Sequence, residues 1–295
     1  MATAEQTVAV FKPKRRAWVS ELRRLPWFAI IVLATLAFVA IFAPLVSPHN
    51  PYAVDLPNRL KPPAWQPGGD WTNVIGTDTL GRDLLTRIFF GARVSLVVAF
   101  SCVGIAGGIG YALGVMAGYY GGVFGSVVMR IVDSIMSLPT LLLAIVFAMT
   151  LGPSMATVIL AITSTMWVRW TRLQRGETLR VMKEDYILQA KVSGASPARI
   201  MLVHIAPNIF NTFMVLSSLQ IGTVILFEAS LSFLGAGIPP PTASWGQMVS
   251  EGRGYITSAW WIAFFPGVAL ALTVFAFNLM GDWLRDRLDP RLRQL

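Results

Sequence analysis

The chain has 295 residues, of which 55% are apolar and only 13% are charged, and its formal net charge is +9. A soluble domain of this length normally carries about twice that share of charged residues. The composition therefore indicates an all-α, multi-pass membrane protein and excludes an ordinary soluble domain. The basic residues stand in blocks beside apolar runs and lack the interleaved aromatic residues of a nucleic-acid surface, so no nucleic-acid partner is expected.

Residues 1–25 are polar and basic, and an apolar run of about 20 residues follows at 26–46. That length is enough to cross a bilayer as a helix. A cleaved signal peptide is the alternative, but no small-residue cleavage site follows the run. We therefore expect a retained first membrane helix preceded by a cytoplasmic tail.

Residues 47–94 are too polar and too rich in proline to span a membrane, and they predict an extracytoplasmic loop. The loop contains the segment IGTDTLGRDLLTR, with Asp78, Gly81, Arg82, Asp83 and Arg87. The favoured interpretation is a salt-bridged cap on the outer face, because exposed charge networks usually fix geometry. Direct contact with a substrate, in the pathway or its gate, is the alternative.

Residues 95–284 hold five further apolar runs, near 95–117, 123–151, 154–168, 209–234 and 260–280. Glycines at four-residue steps in the first of these predict a face that packs closely on other helices. These are Gly104, Gly108, Gly110, Gly114 and Gly118. In the next run, Pro139 predicts a kink, and Arg130 and Asp133 are expected to pair near the cytoplasmic boundary.

Two polar or amphipathic residues near the outer side stand out. Glu228 lies in the fifth span, where a carboxylate either makes a helix-packing hydrogen bond, the favoured interpretation, or lines a pathway. Trp245 lies in the following loop, where it is expected to be an outer aromatic anchor or a part of the gate.

The polar insert 183–208 between the fourth and fifth spans has the pattern of a helix, a break and a second helix. Gly194 breaks the first helix, and Ser196 with Pro197 forms a cap and first-turn pair for the second. Ala190 and Gly194 are four apart, which would give a smooth patch on a helix. By spacing alone, an amphipathic connector and a protein-contact surface explain the insert equally well.

The basic residues test the topology. If the insert and both ends of the chain are cytoplasmic, only six of the 24 basic residues lie outside, namely Arg59, Lys61, Arg82, Arg87, Arg93 and Arg253. This bias agrees with the positive-inside rule. It places the insert and the tail 285–295 in the cytoplasm and predicts six spans.

Gln189, Ala190 and Gly194, with Pro207 thirteen residues after the glycine, resemble the loop that membrane subunits of bacterial ABC importers present to their ATPases. The usual Glu-Ala-Ala triplet reads Gln-Ala-Lys here, and His204 and Ala206 replace the usual Ile and Leu near the end of the loop. The segments 75–96 and 227–248 resemble permeases of the dipeptide, oligopeptide and nickel group. The resemblance covers nearly the whole chain and is greatest to the second, C-type permease of that group.

The resemblance implies a type I ABC importer permease fold in a bacterial inner membrane, with a related permease, two ABC ATPases and an extracytoplasmic binding protein as partners, besides membrane lipid. ATP and magnesium would bind the ATPases, because this chain has no Gly-x-x-x-x-Gly-Lys-Ser/Thr segment. The chain itself would be no enzyme and would hold no metal. The residues that would contact the ATPases are Tyr186, Gln189, Ala190, Gly194, Ala195, Ser196, Pro197 and Pro207.

Short peptides are the cargo that the resemblance favours, and nickel chelates, glutathione or opine-like solutes are the alternatives. Two other classes of protein compete with the importer. An ion-coupled secondary transporter would need acidic residues in the middle of its spans, and these are scarce. A membrane enzyme would need a clustered catalytic set, which the sequence does not show.

Overall fold

A computed structural model describes residues 25–288, and the predicted tail 1–25 lies outside these residues except at its last position, as does the end of the predicted tail 285–295. Within the described part every named element is helical, and the one isolated β-bridge joins Thr77 to Asp83. The helices are α1 Trp27–Val46, α2 Leu84–Tyr120, α3 Gly122–Met136, α4 Thr140–Leu151, α5 Met155–Val181, α6 Asp185–Val192, α7 Pro197–Phe233, α8 Trp245–Gly252 and α9 Trp261–Leu288. Short 3₁₀ turns lie at Leu56–Asn58 and Arg253–Tyr255.

Four of the described helices, α1, α2, α7 and α9, are long and apolar enough to cross a membrane, and α3 with α4 gives a fifth if the bent pair counts as one span. Helix α5 is not among them, because arginines and a glutamate occupy its second half. The chain is thus a multi-pass membrane protein, and the count of six spans stays a prediction.

Several helices continue well beyond the apolar runs from which they were predicted. Helix α2 begins at Leu84 instead of near residue 95 because Asp83 caps it, accepting a hydrogen bond from the Thr86 N–H at 2.9 Å. Helix α5 continues past the predicted end near residue 168 as far as Val181. Apolar length therefore underestimates the length of these helices.

The third predicted span is broken rather than kinked. Helices α3 and α4 meet at an angle of 83° across the break that contains Pro139. At about 1.5 Å per residue, the 12 residues of α4 cover only about 18 Å, which is too short for a bilayer core. The predicted pair of Arg130 with Asp133 is also wrong, because Asp133 forms its ion pair with Arg172 of α5.

The glycine face of α2 packs on α5 through only part of its length. A Cβ built on Gly110 would lie 2.5 Å from the Trp167 carbonyl oxygen, and one on Gly118 would lie 2.5 Å from the Thr178 Cβ. Gly114 is equally tight against Gln174, whereas Gly104 and Gly108 face open space. The packing prediction is right for the inner three glycines and wrong for the outer two within this chain.

Candidate functional site

The insert consists of helix α6, a break at Gly194 and the start of helix α7. Helix α6 ends there in a left-handed cap with φ +77°, in which the Gly194 N–H donates to Lys191 and the Ala195 N–H donates to the Ala190 carbonyl at 3.0 Å. Ser196 then caps α7, accepting from the Arg199 N–H at 3.3 Å, with Pro197 as the first helical residue. The predicted helix, break and helix are confirmed.

A separate hydrophobic core fastens the insert to the bundle. Its buried members come from α2, α5, α6 and α7, and they are Val115, Val181, Ile187, Ile200, Ile205 and Ile209. The Lys191 ammonium group also lies 5.9 Å from the centre of the Tyr119 ring. Because such a core resists deformation, the insert and the inner ends of these helices form one unit.

The opposite side of the insert presents apolar side chains to its surroundings. Tyr186 is 39% exposed, Leu188 50% and Val192 90%. Leu188 and Val192 are four apart and share one face of α6, while Tyr186 lies outside that face. Exposed apolar side chains on a polar segment are typical of a protein-contact site. Gly194 lies on this exposed side with nothing within 4 Å of its Cβ position, whereas Ala190 is half-buried against the insert's own core, so the predicted smooth patch is only partly available.

Partial burial raises the pKa of Tyr186, and the nearby Glu184 carboxylate raises it further. The phenol therefore stays neutral in the physiological range and can donate a hydrogen bond to a partner.

Sequence reasoning missed the π-helical segment Ile200–Ile205 within α7. It ends two residues before Pro207, which has no N–H to continue the regular hydrogen-bond ladder. Two side chains also donate to carbonyls beside this segment: the Asn208 side-chain amide donates to the His204 carbonyl at 2.6 Å, and the Tyr111 hydroxyl donates to the Ala206 carbonyl. Segments of this kind recur at functional sites.

At the outer end, four charged side chains form what we call the outer ion cluster: Asp78, Arg82, Arg87 and Glu251. Asp78 is fully buried and accepts from the Arg82 Nε at 2.7 Å, from Arg87, and from two backbone N–H groups. Arg87 also donates to Glu251 of α8 at 2.8 Å. The cluster joins the start of α2 to α8.

The cluster differs from its prediction in three ways. It is buried rather than exposed, and Asp83 is a helix cap with His49 at 3.7 Å rather than an ion-pair partner of the arginines. Glu251 was missed, because a residue 164 positions from Arg87 carries no spacing signal. Gly81, predicted in the same set, holds φ +75° and would place a Cβ 1.8 Å from the Asp55 carbonyl oxygen.

Trp245 and Glu228 both lie in the interior. Trp245 is 1% exposed, its Nε1 donates to the Ile88 carbonyl at 2.9 Å, and its ring covers Gly91, so the prediction of an exposed aromatic anchor is wrong. Glu228 is fully buried and accepts a hydrogen bond from Ser232 at 2.8 Å. That contact lies within helix α7, between residues four apart, so the favoured interpretation of a hydrogen bond that packs helices stays a prediction, as does a role for either residue in a pathway or gate.

A bundle of long apolar helices with a fastened insert at one end and a buried ion cluster at the other defines a membrane-embedded permease subunit. Comparison with known families agrees. Residues 110–294 match the binding-protein-dependent transport system inner membrane component family, and residues 23–63 match the N-terminal transmembrane domain of oligopeptide transport permease C. The chain belongs to the binding-protein-dependent transport system inner membrane component family, and it is a non-catalytic permease subunit.

Individual relatives give the same result. The chain is 46% identical over 267 residues to the dipeptide transport system permease protein DppC of Escherichia coli K12, covering 90% of this chain and 88% of the relative. It is 39% identical to the di/tripeptide transport system permease protein DppC of Pseudomonas aeruginosa, covering 90% and 87%.

Among solved structures, the MetNI methionine ABC transporter in inward-facing conformations matches with a TM-score of 0.57 at 19% identity, over 70% of this chain and 96% of the matched chain. The predicted family and the predicted type I importer permease fold are therefore confirmed.

Proposed function

We propose that the chain forms half of the translocation pathway of an ATP-driven importer of di- or oligopeptides in a bacterial inner membrane. The names of the relatives, which are dipeptide and di/tripeptide permeases, support the cargo. A related permease forms the other half of the pathway, and an extracytoplasmic binding protein delivers the peptide. Nickel chelates, glutathione and opine-like solutes are the competing cargoes.

The observation that carries the energy-coupling part of the proposal is the insert. Its apolar residues Tyr186, Leu188 and Val192 are exposed beside Gly194, while its own core ties it to α2, α5 and α7. Two ATPases, which bind ATP and magnesium, dock on this exposed side. When they close, the insert moves as one body and turns the helices to which it is fastened.

This movement produces alternating access. Closure of the ATPases opens the pathway to the outside to receive a peptide, and hydrolysis returns it to the inward-open state. Such coupling requires that the insert interact differently with the two ATPase states, because a ligand that binds both states equally shifts no equilibrium.

The test compares Gly194→Asp with Gly194→Asn in the complete reconstituted complex. Asparagine tolerates the left-handed backbone at this position, so it serves as a neutral control of similar size. Aspartate adds an unpaired charge to the contact, and we expect ATP-dependent dipeptide uptake in proteoliposomes to fall by at least about tenfold. Copurification of the ATPases reports docking separately.

Normal uptake by the Gly194→Asp complex would contradict the proposal. Uptake by the chain alone, driven by a proton or sodium gradient, would replace it with secondary transport. Competition between a dipeptide, glutathione and a nickel chelate for the purified binding protein would decide the cargo without reference to the insert.

A further inference from the structure

Arg130 of α3 is an exposed arginine for which the described residues offer no acidic partner. The carboxylate three residues away, on Asp133, is engaged by Arg172. The neighbouring hydroxyls bond to backbone carbonyls of their own helix: Ser126 donates to Gly122 at 2.8 Å and Ser134 to Arg130 at 2.9 Å. A guanidinium is permanently charged, so this one requires an anion from outside the described chain or contact with water.

The surface beside Arg130 is apolar. Val123 is 82% exposed, Val127 53% and Ile131 48%, and these three residues recur every four positions along one side of α3. They line an open groove together with Gly122, Ser126 and Arg130. The groove thus combines one cation with a hydrocarbon-lined floor, whereas a binding site for a polar peptide would offer several hydrogen-bonding groups.

The position of α3 along the bundle supports a membrane boundary. The helix follows directly on the inner end of α2, across the turn at Gly121, and it lies at 83° to α4. Tyr120 is 56% exposed and contacts the Phe124 ring edge-on at 6.1 Å, as aromatic residues do at a bilayer surface. With apolar residues along one side and Arg130 beside them, α3 has the amphipathic pattern of a helix that lies along a membrane surface.

We propose that this groove binds an anionic phospholipid of the cytoplasmic leaflet, with the lipid phosphate on the Arg130 guanidinium and an acyl chain along Val123, Val127 and Ile131. The proposal rests on the membrane orientation of the proposed function but not on its ATPase coupling. Guanidinium and phosphate pair through two parallel hydrogen bonds, and the pairing is strengthened where water is scarce.

The test measures phospholipid binding to the complete purified complex by native mass spectrometry, titrating phosphatidylglycerol and phosphatidylethanolamine separately. We expect the wild-type complex to prefer phosphatidylglycerol, and Arg130→Gln to weaken that binding about fivefold. Arg130→Lys should retain most of it. The matched control is Arg180→Gln on α5, because Arg180 is also exposed and has its own partner in Glu177 at 2.8 Å.

Val127→Glu provides a second variant that leaves Arg130 in place. Glutamate three residues before Arg130 would pair with it along the helix and occupy it, so phosphatidylglycerol binding should fall as in Arg130→Gln. The proposal is overturned if wild type and both variants bind phosphatidylglycerol equally, or if Arg180→Gln loses as much as Arg130→Gln. Unchanged lipid binding with an altered peptide KM in Arg130→Gln would also overturn it and assign Arg130 to the pathway.

Discussion

The outer ion cluster and the insert contain the two most recognisable sequence segments of the chain, yet the side chains of the first are buried and those of the second are exposed. In the cluster, Asp78 and Arg87 are fully or almost fully buried and meet only groups of this chain. In the insert, Tyr186 and Val192 are exposed and no described residue covers Gly194. A recognisable sequence segment therefore lies in the interior at one end of the bundle and on the surface at the other.

The contrast predicts where substitutions harm folding and where they harm only activity. Changes in the cluster should lower the stability of the chain, and matched changes in the insert should leave stability almost intact while uptake is lost. Each of the following substitutions tests that division with one variant from a buried and one from an exposed position.

Asp78→Asn should have the largest effect on stability. It removes the carboxylate that Arg82 and Arg87 share and leaves buried guanidinium charge poorly compensated, which costs about 3–5 kcal/mol. The measurement is the thermal unfolding midpoint of the purified complex. The control is Asp70→Asn, because Asp70 is an exposed carboxylate of the same loop with a lysine partner, Lys61, at 3.1 Å. An equal midpoint for both variants would contradict the buried character of the cluster.

Gly81→Ala and Gly194→Ala compare two glycines with nearly the same left-handed backbone, φ +75° and φ +77°. At Gly194 the new methyl meets open space, so only backbone strain of about 1 kcal/mol is expected. At Gly81 it would overlap the Asp55 carbonyl, which should add about 1–3 kcal/mol. The measurement is the thermal unfolding midpoint of both variants under the same conditions. Equal shifts would show that the backbone at Asp55 moves away from a Gly81 methyl group at no cost in stability.

The sequence predicted the local features of both regions well, because they depend on neighbours along the chain. The Gly194 break and the Ser196 cap follow from the conformational preferences of these residues and were confirmed. The prediction of the spans also rests on local features, namely apolar length and charge. Apolar length does not predict where a helix ends, because caps such as Asp83 extend a helix beyond its apolar run.

What the sequence could not predict depends on contacts between distant segments. Glu251 joins the outer ion cluster from another helix, and Trp245 is buried because Gly91 leaves room for its ring. Asp133 likewise pairs with Arg172, which is 39 positions away in the sequence, and not with the nearby Arg130. A single sequence determines none of these pairings, because a helix face becomes interior only through the neighbouring helix that packs on it.

The smallest expected effect is the pH dependence of the stability that the exposed carboxylate Asp70 contributes. Hydrogen bonding from the Thr72 backbone N–H, followed by the Thr72 hydroxyl and Lys61, lowers the pKa of Asp70. A carboxyl group whose pKa is lower in the folded state contributes stability above its unfolded pKa, and this contribution is lost as pH falls through the folded value. The thermal unfolding midpoint of the wild type should therefore be slightly higher than that of Asp70→Asn at pH 6. The midpoints of the two proteins should become equal below about pH 3. If the difference between the two midpoints persists or widens in acid, Asp70 stabilises the fold through packing rather than through its charge.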